Sequence, residues 1–239
     1  METRTHVARD HAMIGPDSHV VSPMTGWTDT DGVTLISPAM AGPRFAMSLV
    51  HTTERTRDAT LPADRQRLIY VLEGELTIDG RERGVGSFVY RPPGDDAPIA
   101  GVGDGKLLVF DKPFVASEDG SSPTRIVGHV DDVPGEPFMG DEHARLQTLL
   151  PIDPAFDMAV NVFTFDPGTP LPLVETHVME HGLYMAAGAG VYRLNDSWYP
   201  VRAGDAIWMA SYCPQWFVAM GRQPATYIYY KDIHRDPLS

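Results

Sequence analysis

The chain runs through the same succession of short apolar segments twice, and this internal repeat constrains the possible fold more than any other feature. Four pairs of residues occupy corresponding positions in the two halves: Tyr70 and Tyr184, Gly74 and Gly188, Gly86 and Gly204, and Lys112 and Lys231. The spacing within these pairs grows slowly along the chain. A duplicated domain with small changes in loop length gives this pattern, so the sequence predicts two tandem domains of similar fold.

The repeated segments have the composition of β-strands. They are short, rich in Val, Ile, Tyr and Phe, and bounded by Gly, Pro and Asp. Residues 76–80 and 191–196 resemble strands that run into hairpin turns. With 22 glycines and 21 prolines in 239 residues, long helices are not expected. We therefore predict an all-β protein built from barrels or sandwiches, with one short helical turn at residues 141–147.

The same patterns divide the chain into four segments. We predict an N-terminal arm at residues 1–40, a first barrel at 41–115, a connection at 116–154 and a second barrel at 155–239. Pro and Gly punctuate the arm, and the connection contains the loop-like residues 117–122. The arm is expected to pack on the other domain or on another subunit.

Charge and cysteine content narrow the function classes. A net charge of −13 would repel polyanions, so nucleic acid and anionic membranes are not expected partners. Cys213 is the single cysteine, which excludes an internal disulfide and suits a reducing, cytoplasmic compartment. Residues 1–16 lack the apolar run of a signal peptide, and no stretch reaches the roughly 18 apolar residues of a membrane helix.

Residues 175–181 hold the densest group of potential metal ligands in the sequence. Glu175, His177 and His181 supply a carboxylate and two imidazoles, and Gln215 adds an amide oxygen further on. Such groups bind divalent metals. Because an unpaired buried carboxylate is costly, their convergence inside one barrel predicts a bound cation. Two imidazoles with two oxygen donors leave open positions around an octahedral ion, which favours Mn or Fe over a closed structural Zn site.

The spacing of the cluster allows two local structures. Glu175 and His177 would point to the same side of a strand, but His181 would lie about 13 Å further along if that strand continued. A turn near residues 178–180, with His181 on the next strand, brings the three groups together. In a helix, His177 and His181 would share one face. The flanking prolines and glycines argue against the helix, and Gln215 is then expected to approach from a later strand.

The first half of the chain lacks an equivalent cluster. In the register of the repeat, the four candidate ligands of the second half correspond to Leu61, Ala63, Arg67 and Ala97. The first barrel is therefore predicted to bind no metal and to act as a structural partner, in packing or dimerisation.

Tandem barrels with a cluster of this kind resemble the bicupins. The usual cupin motif has two His before an acidic ligand, whereas here Glu175 precedes His177 and His181, and Gly188 follows seven residues later. This inverted order, together with residues 214–216 and 229–232 and with Arg235, resembles the (S)-ureidoglycine aminohydrolases. The similarity is specific over residues 156–238 and weaker in the first half, where it rests on 70–74 and 88–94.

The resemblance implies a fold of two tandem cupin (jelly-roll) barrels and an enzyme of purine catabolism, in the allantoin pathway. Such an enzyme binds manganese, expected here as one ion per chain in the second barrel, and hydrolyses (S)-ureidoglycine to (S)-ureidoglycolate and ammonia. By position, its metal ligands would be Glu175, His177, His181 and Gln215. Its substrate-contacting residues would be Tyr192, Tyr227 and Lys231, with Glu175 also facing the substrate. Members of the family are homo-oligomers, and the bacterial ones are cytosolic.

Lys231 is the candidate for proton transfer. By strand parity it faces the same side as Tyr227, and burial near a cation should lower its pKa toward neutrality. It would act as an acid/base or as a clamp for the substrate carboxylate; the alternative is an ordinary lysine at a strand end. Tyr192 and Tyr227 would donate hydrogen bonds to the substrate, and the alternative for both is an interior aromatic ring with a bonded hydroxyl.

Two other functions stay open on the sequence alone. One is a different metal-dependent cupin enzyme, a dioxygenase or isomerase that acts on another small acid or uses a metal other than manganese. The other is a non-catalytic bicupin that binds a small molecule. Cupins support many functions, so the fold by itself does not separate these possibilities.

Overall fold

The computed structural model describes residues 2–236. Over these residues the chain forms strands and three short 3-10 helices, at Pro16–Ser18, Pro38–Met40 and Val130–Asp132, with no α-helix. The described part also contains no helix long and apolar enough to cross a membrane. The prediction of an all-β protein is confirmed.

The strands are short, as the frequent turn residues predict. In chain order they are β1 (His6–Val7), β2 (His11–Ile14), β3 (Ser22–Pro23), β4 (Trp27–Thr28), β5 (Asp31–Ile36), β6 (Ala46–Thr52), β7 (Arg57–Asp58), β8 (Arg65–Glu73), β9 (Leu76–Ile78), β10 (Arg81–Arg83), β11 (Ser87–Arg91), β12 (Ile99–Gly101), β13 (Gly105–Pro113), β14 (Ile126–His129), β15 (Glu136–Phe138), β16 (Asp141–Thr148), β17 (Met158–Phe165), β18 (His181–Ala187), β19 (Ala189–Leu194), β20 (Ser197–Arg202), β21 (Ala206–Met209), β22 (Gln215–Ala219) and β23 (Ala225–Asp232).

The strands gather into two compact units. The N-terminal unit is His19–Asp132, and the C-terminal unit combines Met1–Ser18 with Val133–Ser239. This division differs from the boundaries predicted at residues 41, 116 and 155. Strands β1 and β2 extend a sheet of the C-terminal unit through β21, whereas β3, β4 and β5 belong to sheets of the N-terminal unit. Backbone hydrogen bonds hold such edge strands, so side-chain composition gives little sign of where they pair.

Each unit consists of two antiparallel sheets with a shared apolar core. In the C-terminal unit the sheets have the orders β1-β2-β21-β18-β23-β17-β16-β15 and β20-β19-β22. In the N-terminal unit they are β14-β11-β8-β13-β6-β5-β3 and β10-β9-β12-β7-β4. Side chains from both sheets meet in each core, for example Val71 with Leu76 in the N-terminal unit and Met185 with Phe217 in the C-terminal unit.

The short helical turn predicted at residues 141–147 is wrong, because this segment is strand β16. It pairs with β17 on one side, where Ala144 lies opposite Phe165, and with β15 on the other. Pairing on both edges supplies more backbone hydrogen bonds than one isolated turn of helix, so tertiary context overrides the local tendency. The consequence is that part of the predicted connection belongs to the sheet of the C-terminal unit.

The strand pairing also corrects one correspondence of the repeat. Arg67 and His181 each lie three residues before the matching tyrosines, and they pair with Asp111 and Lys231, respectively. The structural counterpart of Lys231 is therefore Asp111 and not the predicted Lys112. Since successive side chains point to opposite faces, a shift of one residue moves Lys112 to the outside of its barrel.

Candidate active site

A cavity of about 220 Å³ lies between the two sheets of the C-terminal unit. All seven residues singled out from the sequence line it: Glu175, His177, His181, Tyr192, Gln215, Tyr227 and Lys231. Their convergence depends on the fold, since they come from one irregular segment and from four different strands.

Glu175 and His177 lie in the irregular segment before β18 and not on the strand expected for them. Glu175 forms a single β-bridge with Gln215, in which the backbone N–H groups donate reciprocally over 2.9 and 3.0 Å. The backbone carbonyl of His177 accepts a hydrogen bond from the Tyr212 amide at 2.7 Å. These two anchors fix the segment against the strands, although it contains prolines that a regular strand would not accommodate.

The ring of His177 is oriented by the backbone two residues further along the chain. Its Nδ1 lies 3.1 Å from the carbonyl oxygen of Met179, so the Nδ1–H donates there and Nε2 keeps its lone pair. Nε2 is 3.0 Å from Nε2 of Gln215, toward the cavity. This is the tautomer that a metal-binding imidazole requires.

His181 and Gln215 each begin a strand, β18 and β22, and meet His177 from the other side. Gln215 Nε2 is 3.4 Å from Nδ1 of His181, and the two imidazole rings are 4.6 Å apart. Burial, reinforced by His177, holds the pKa of His181 well below its usual range, so this ring is neutral at physiological pH. Its Nε2 is buried and has no hydrogen-bond partner among the described residues.

The donor set fits a divalent transition ion. His177 and His181 each keep a nitrogen lone pair, and the Gln215 amide can present Oε1 instead of Nε2 after a half-turn of its terminal amide group. Burial raises the pKa of Glu175, which shows that its carboxylate is partly withdrawn from water without full compensation. A bound cation would satisfy the orphaned His181 nitrogen and the carboxylate together.

Lys231 and two tyrosines form the part of the lining beside His181, which pairs with Lys231 across the strands. Tyr227, Tyr229 and Lys231 alternate along β23 and therefore share its inner face. Burial lowers the pKa of Lys231, and the carboxylate of Glu175 partly opposes that shift. The Lys231 ammonium is thus a stronger acid than usual and can give up its proton closer to neutrality.

The tyrosines are neutral hydrogen-bonding groups. Tyr192 donates to Oε1 of Gln215 at 3.2 Å, and its hydroxyl also shares a hydrogen bond with Tyr227. Burial raises the pKa of both phenols well above the usual value. Each therefore keeps its proton, and its hydroxyl can exchange its present hydrogen bond for one to a ligand in the cavity.

Sequence reasoning missed an apolar wall of the cavity. Phe138 and Leu146 come from β15 and β16, and Phe163 comes from β17. The rings of Phe138 and Phe163 meet edge to face with centroids 4.9 Å apart. The assignment of residues 116–154 to a connection hid the first two. Ala144 and Leu146 alternate with polar residues, which is the pattern of a strand and could have revealed this part of the wall.

A second group of metal-binding residue types lies elsewhere in the C-terminal unit. Asp10, His11 and Cys213 are close together, but both ring nitrogens of His11 are already engaged, by Asp10 at 2.9 Å and by the Tyr199 hydroxyl at 2.8 Å. Burial raises the pKa of Cys213 to about 11, which keeps its thiol protonated. The group connects β2 to its neighbours, and the sequence-based view of Cys213 as a small buried thiol agrees with this arrangement.

Comparison with known proteins first gives the class. The model of the cupin domain family matches residues 161–230. The fold is similar to that of a putative glyoxylate induced protein from Pseudomonas aeruginosa, with a TM-score of 0.88, 27% identity, and coverage of 98% of this chain and 92% of that one. Protein Ylba from E. coli gives a TM-score of 0.84 at 28% identity and covers 98% and 96% of the two chains. With two such units, this chain is a bicupin, as predicted.

The sequence comparison then gives the family. The chain is 40% identical to the (S)-ureidoglycine aminohydrolase of Arabidopsis thaliana, over 99% of this chain and 80% of the relative. It therefore belongs to the (S)-ureidoglycine aminohydrolase family, and the prediction that it is a hydrolase of this kind is confirmed.

Proposed function

We propose that this chain hydrolyses (S)-ureidoglycine to (S)-ureidoglycolate and ammonia in purine catabolism, with Mn²⁺ held by Glu175, His177, His181 and Gln215. The names of its relatives support the reaction. The observation that carries the proposal is the convergence of these four groups with Tyr192, Tyr227 and Lys231 on one cavity of about 220 Å³. A cavity of this size suits a substrate with few heavy atoms.

The donor set supports manganese among the divalent ions. Oxygen donors from Glu175 and Gln215 suit a harder ion than the thiolates of structural zinc sites, and four protein donors leave room for substrate around a six-coordinate ion. When bound, such an ion would supply an electrophilic anchor for the carboxylate and the amine of the substrate.

Lys231 is assigned the proton transfer. The reaction breaks one carbon–nitrogen bond, whose electron pair leaves with the nitrogen, and that nitrogen takes up a proton to leave as ammonia. The lowered pKa of Lys231 lets its ammonium deliver this proton near neutral pH and recover one when water adds to the carbon. As a clamp, the same ammonium would instead hold the carboxylate of the substrate.

Tyr192 and Tyr227 are assigned the orientation of the substrate. Both phenols stay protonated, and they are linked to each other and to Gln215 by hydrogen bonds. This linkage fixes their hydroxyls relative to the metal ligands before substrate arrives, which limits the orientations that a ureido group can adopt. The apolar wall of Phe138, Leu146 and Phe163 closes the other side and offers no competing polar partner.

The proposal also covers the cellular location and the oligomeric state of the enzyme. We expect a cytosolic homo-oligomer, because a single buried cysteine suits a reducing compartment and the resemblance to the family implies an assembly. Size-exclusion chromatography with light scattering of the purified chain measures the assembly directly.

The decisive experiment measures ammonia released from freshly prepared (S)-ureidoglycine. The protein is stripped of metal and then supplied with Mn²⁺, Zn²⁺ or Mg²⁺, with elemental analysis of each sample. We expect activity to return most fully with Mn²⁺ and the product to be the (S) enantiomer. Oxygen consumption with Fe²⁺ and no ammonia release would instead identify a cupin oxygenase and refute the proposal.

A further inference from the structure

The N-terminal unit has its own cavity, of about 580 Å³. Arg67 and Asp111 line it, and they are the structural counterparts of His181 and Lys231 in the other barrel. Both barrels therefore keep an opening at the same end of the fold. In the N-terminal unit these two positions carry charged side chains, and the space beside them is open.

The charge on the lining of this cavity is positive. Its charged lining residues are Arg65, Arg67 and Asp111. Asp111 accepts hydrogen bonds from Arg65 Nε at 2.7 Å, from Arg65 Nη2, and from Arg67 Nε and Nη2 at 2.9 and 2.7 Å. One carboxylate therefore faces two guanidinium groups, and its oxygens are fully used by them.

The carboxylates behind this pair are already committed. Asp58, whose side chain is fully buried, bonds both Arg67 and Arg91. Arg91 bonds Asp95 in turn, at 2.6 Å. The three arginines Arg65, Arg67 and Arg91 therefore balance the three aspartates Asp111, Asp58 and Asp95, and Arg65 is the end of this alternating chain that lies at the cavity.

One donor at the cavity end is free. Nη1 of Arg65 has no hydrogen-bond or ion-pair partner among the described residues, and its side chain is 37% exposed. The Arg67 guanidinium lies over the Trp27 ring, with Cζ 5.4 Å from the ring centroid, and the part of the indole that lines the cavity adds apolar surface beside the two cations. Ser48 and Thr34 add hydroxyl groups to the same lining.

We propose that this cavity is a binding site for a small organic monocarboxylate. Arg65 would bind one carboxylate oxygen by a single charge-assisted hydrogen bond from Nη1, because Asp111 engages Nε and Nη2, while the carbon chain of the ligand lies against Trp27. The hydroxyls of Ser48 and Thr34 would select ligands that carry a second polar group. This site is separate from the cavity of the C-terminal unit and does not depend on the reaction proposed there.

Fluorine NMR of the protein labelled with 5-fluorotryptophan tests the site. The Trp27 signal is assigned with Trp27→Phe, and Trp198, Trp208 and Trp216 act as internal controls outside the N-terminal unit. Titration with propionate at constant ionic strength should shift the Trp27 signal saturably. The neutral isostere propionamide should leave it unchanged.

Variants identify the guanidinium. Arg65→Gln should weaken propionate binding by at least about tenfold, and Arg65→Lys, which keeps the charge, should weaken it less. Arg81→Gln is the matched control, because Arg81 is an exposed arginine on β10 and does not line the cavity. A Trp27 signal that does not move up to about 100 mM propionate would overturn the proposal, as would equal shifts with propionamide or unchanged affinity in Arg65→Gln.

Discussion

The two barrels share their strand pairing and differ at the inner positions of the matching strands. Where β23 presents Tyr227 and Tyr229 to its cavity, β13 presents Leu107 and Val109, and the two pairs occupy the same register against their neighbours. Both pairs belong to the core of their unit, and Val109 also lines the cavity of the N-terminal unit, but only the tyrosines bring hydroxyl groups to the cavity that they line. The comparison shows that the pairing pattern fixes the barrel, and that a few inward positions decide which chemical groups line its cavity.

The barrels also balance buried charge by different means. Asp111 in the N-terminal barrel is neutralised by two arginines of the same chain. Glu175 in the C-terminal barrel lies near Lys231 and two imidazoles, of which His181 is neutral, and its pKa is raised. A carboxylate without an arginine partner needs a cation from outside, whereas one with two arginines does not. Four substitutions test this contrast, and they follow in order of expected effect.

The largest effect is expected for Glu175→Gln. Removing the carboxylate removes the negative charge that attracts the cation, so metal content should fall from about one ion per chain to near zero and ammonia release by at least about a hundredfold. Elemental analysis and the ammonia assay measure the two effects. Glu73→Gln, at an exposed glutamate of the N-terminal barrel, should change neither. Full metal occupancy in Glu175→Gln would show that this residue is not a ligand.

Lys231→Ala should separate chemistry from metal binding. Loss of the proton donor should lower kcat by about 10²- to 10⁴-fold while metal content stays at the wild-type value. Lys231→Arg keeps the positive charge, so it should restore part of the activity if Lys231 is a clamp and little if it transfers a proton. The control is Lys106→Ala, at a lysine of the N-terminal barrel that pairs with Glu73. Near-normal turnover in Lys231→Ala would remove this lysine from the mechanism.

Asp111→Asn should destabilise the N-terminal barrel without affecting the metal. The substitution leaves Arg65 and Arg67 facing each other without their shared carboxylate, at a cost of about 3 kcal/mol in the free energy of unfolding. Denaturant unfolding followed by the fluorine signal of Trp27 measures the change. The exposed Asp104 gives the control Asp104→Asn. A loss below about 1 kcal/mol would mean that the arginines are satisfied without this carboxylate.

The smallest effect is expected for Asp166→Asn, at an exposed ion cluster of the C-terminal unit. Hydrogen bonds from Arg145 and His143 lower the pKa of Asp166 to about 2 from 3.8, and the contact with Asp166 raises the pKa of His143 above 6.5. The ionised Asp166 carboxylate stabilises the fold above about pH 4, and this stabilisation is lost as the pH falls toward 2. The protonated His143 ring stabilises the fold below pH 6.5, and this stabilisation is lost as the pH rises further.

The difference in thermal unfolding temperature between wild type and Asp166→Asn should therefore be largest between about pH 4 and pH 6.5, and it should become smaller below and above this range. Solvent screens this exposed cluster, so the shift should stay near 1 °C or less in thermal unfolding scans taken across that range. If Asp166→Asn destabilised the protein as much as Asp111→Asn, the distinction between exposed and buried ion pairs would be wrong.

Local patterns in the sequence predict the strands, the duplication and the four proposed ligands. Residue type and spacing suffice for these, because alternation and turn chemistry are local. The register of β13 does not follow from local pattern, since Asp111 and Lys112 are adjacent and only the hydrogen bonds to β8 decide which one faces inward. The apolar wall was missed for a similar reason. Phe138 reaches the cavity only because β15 and β16 pair at a distant sheet edge.

The pairing of β2 with β21 has a consequence for biosynthesis. His11 lies opposite Met209 in this ladder, so most of the polypeptide must be made before the first of these strands meets its partner. At ordinary translation speeds the wait is roughly 10 to 40 s. The N-terminal barrel, whose strands all emerge within that interval, can complete its sheets on the ribosome before β2 pairs with β21. A fusion partner attached ahead of β2 would therefore compete with the last step of folding and not with the first.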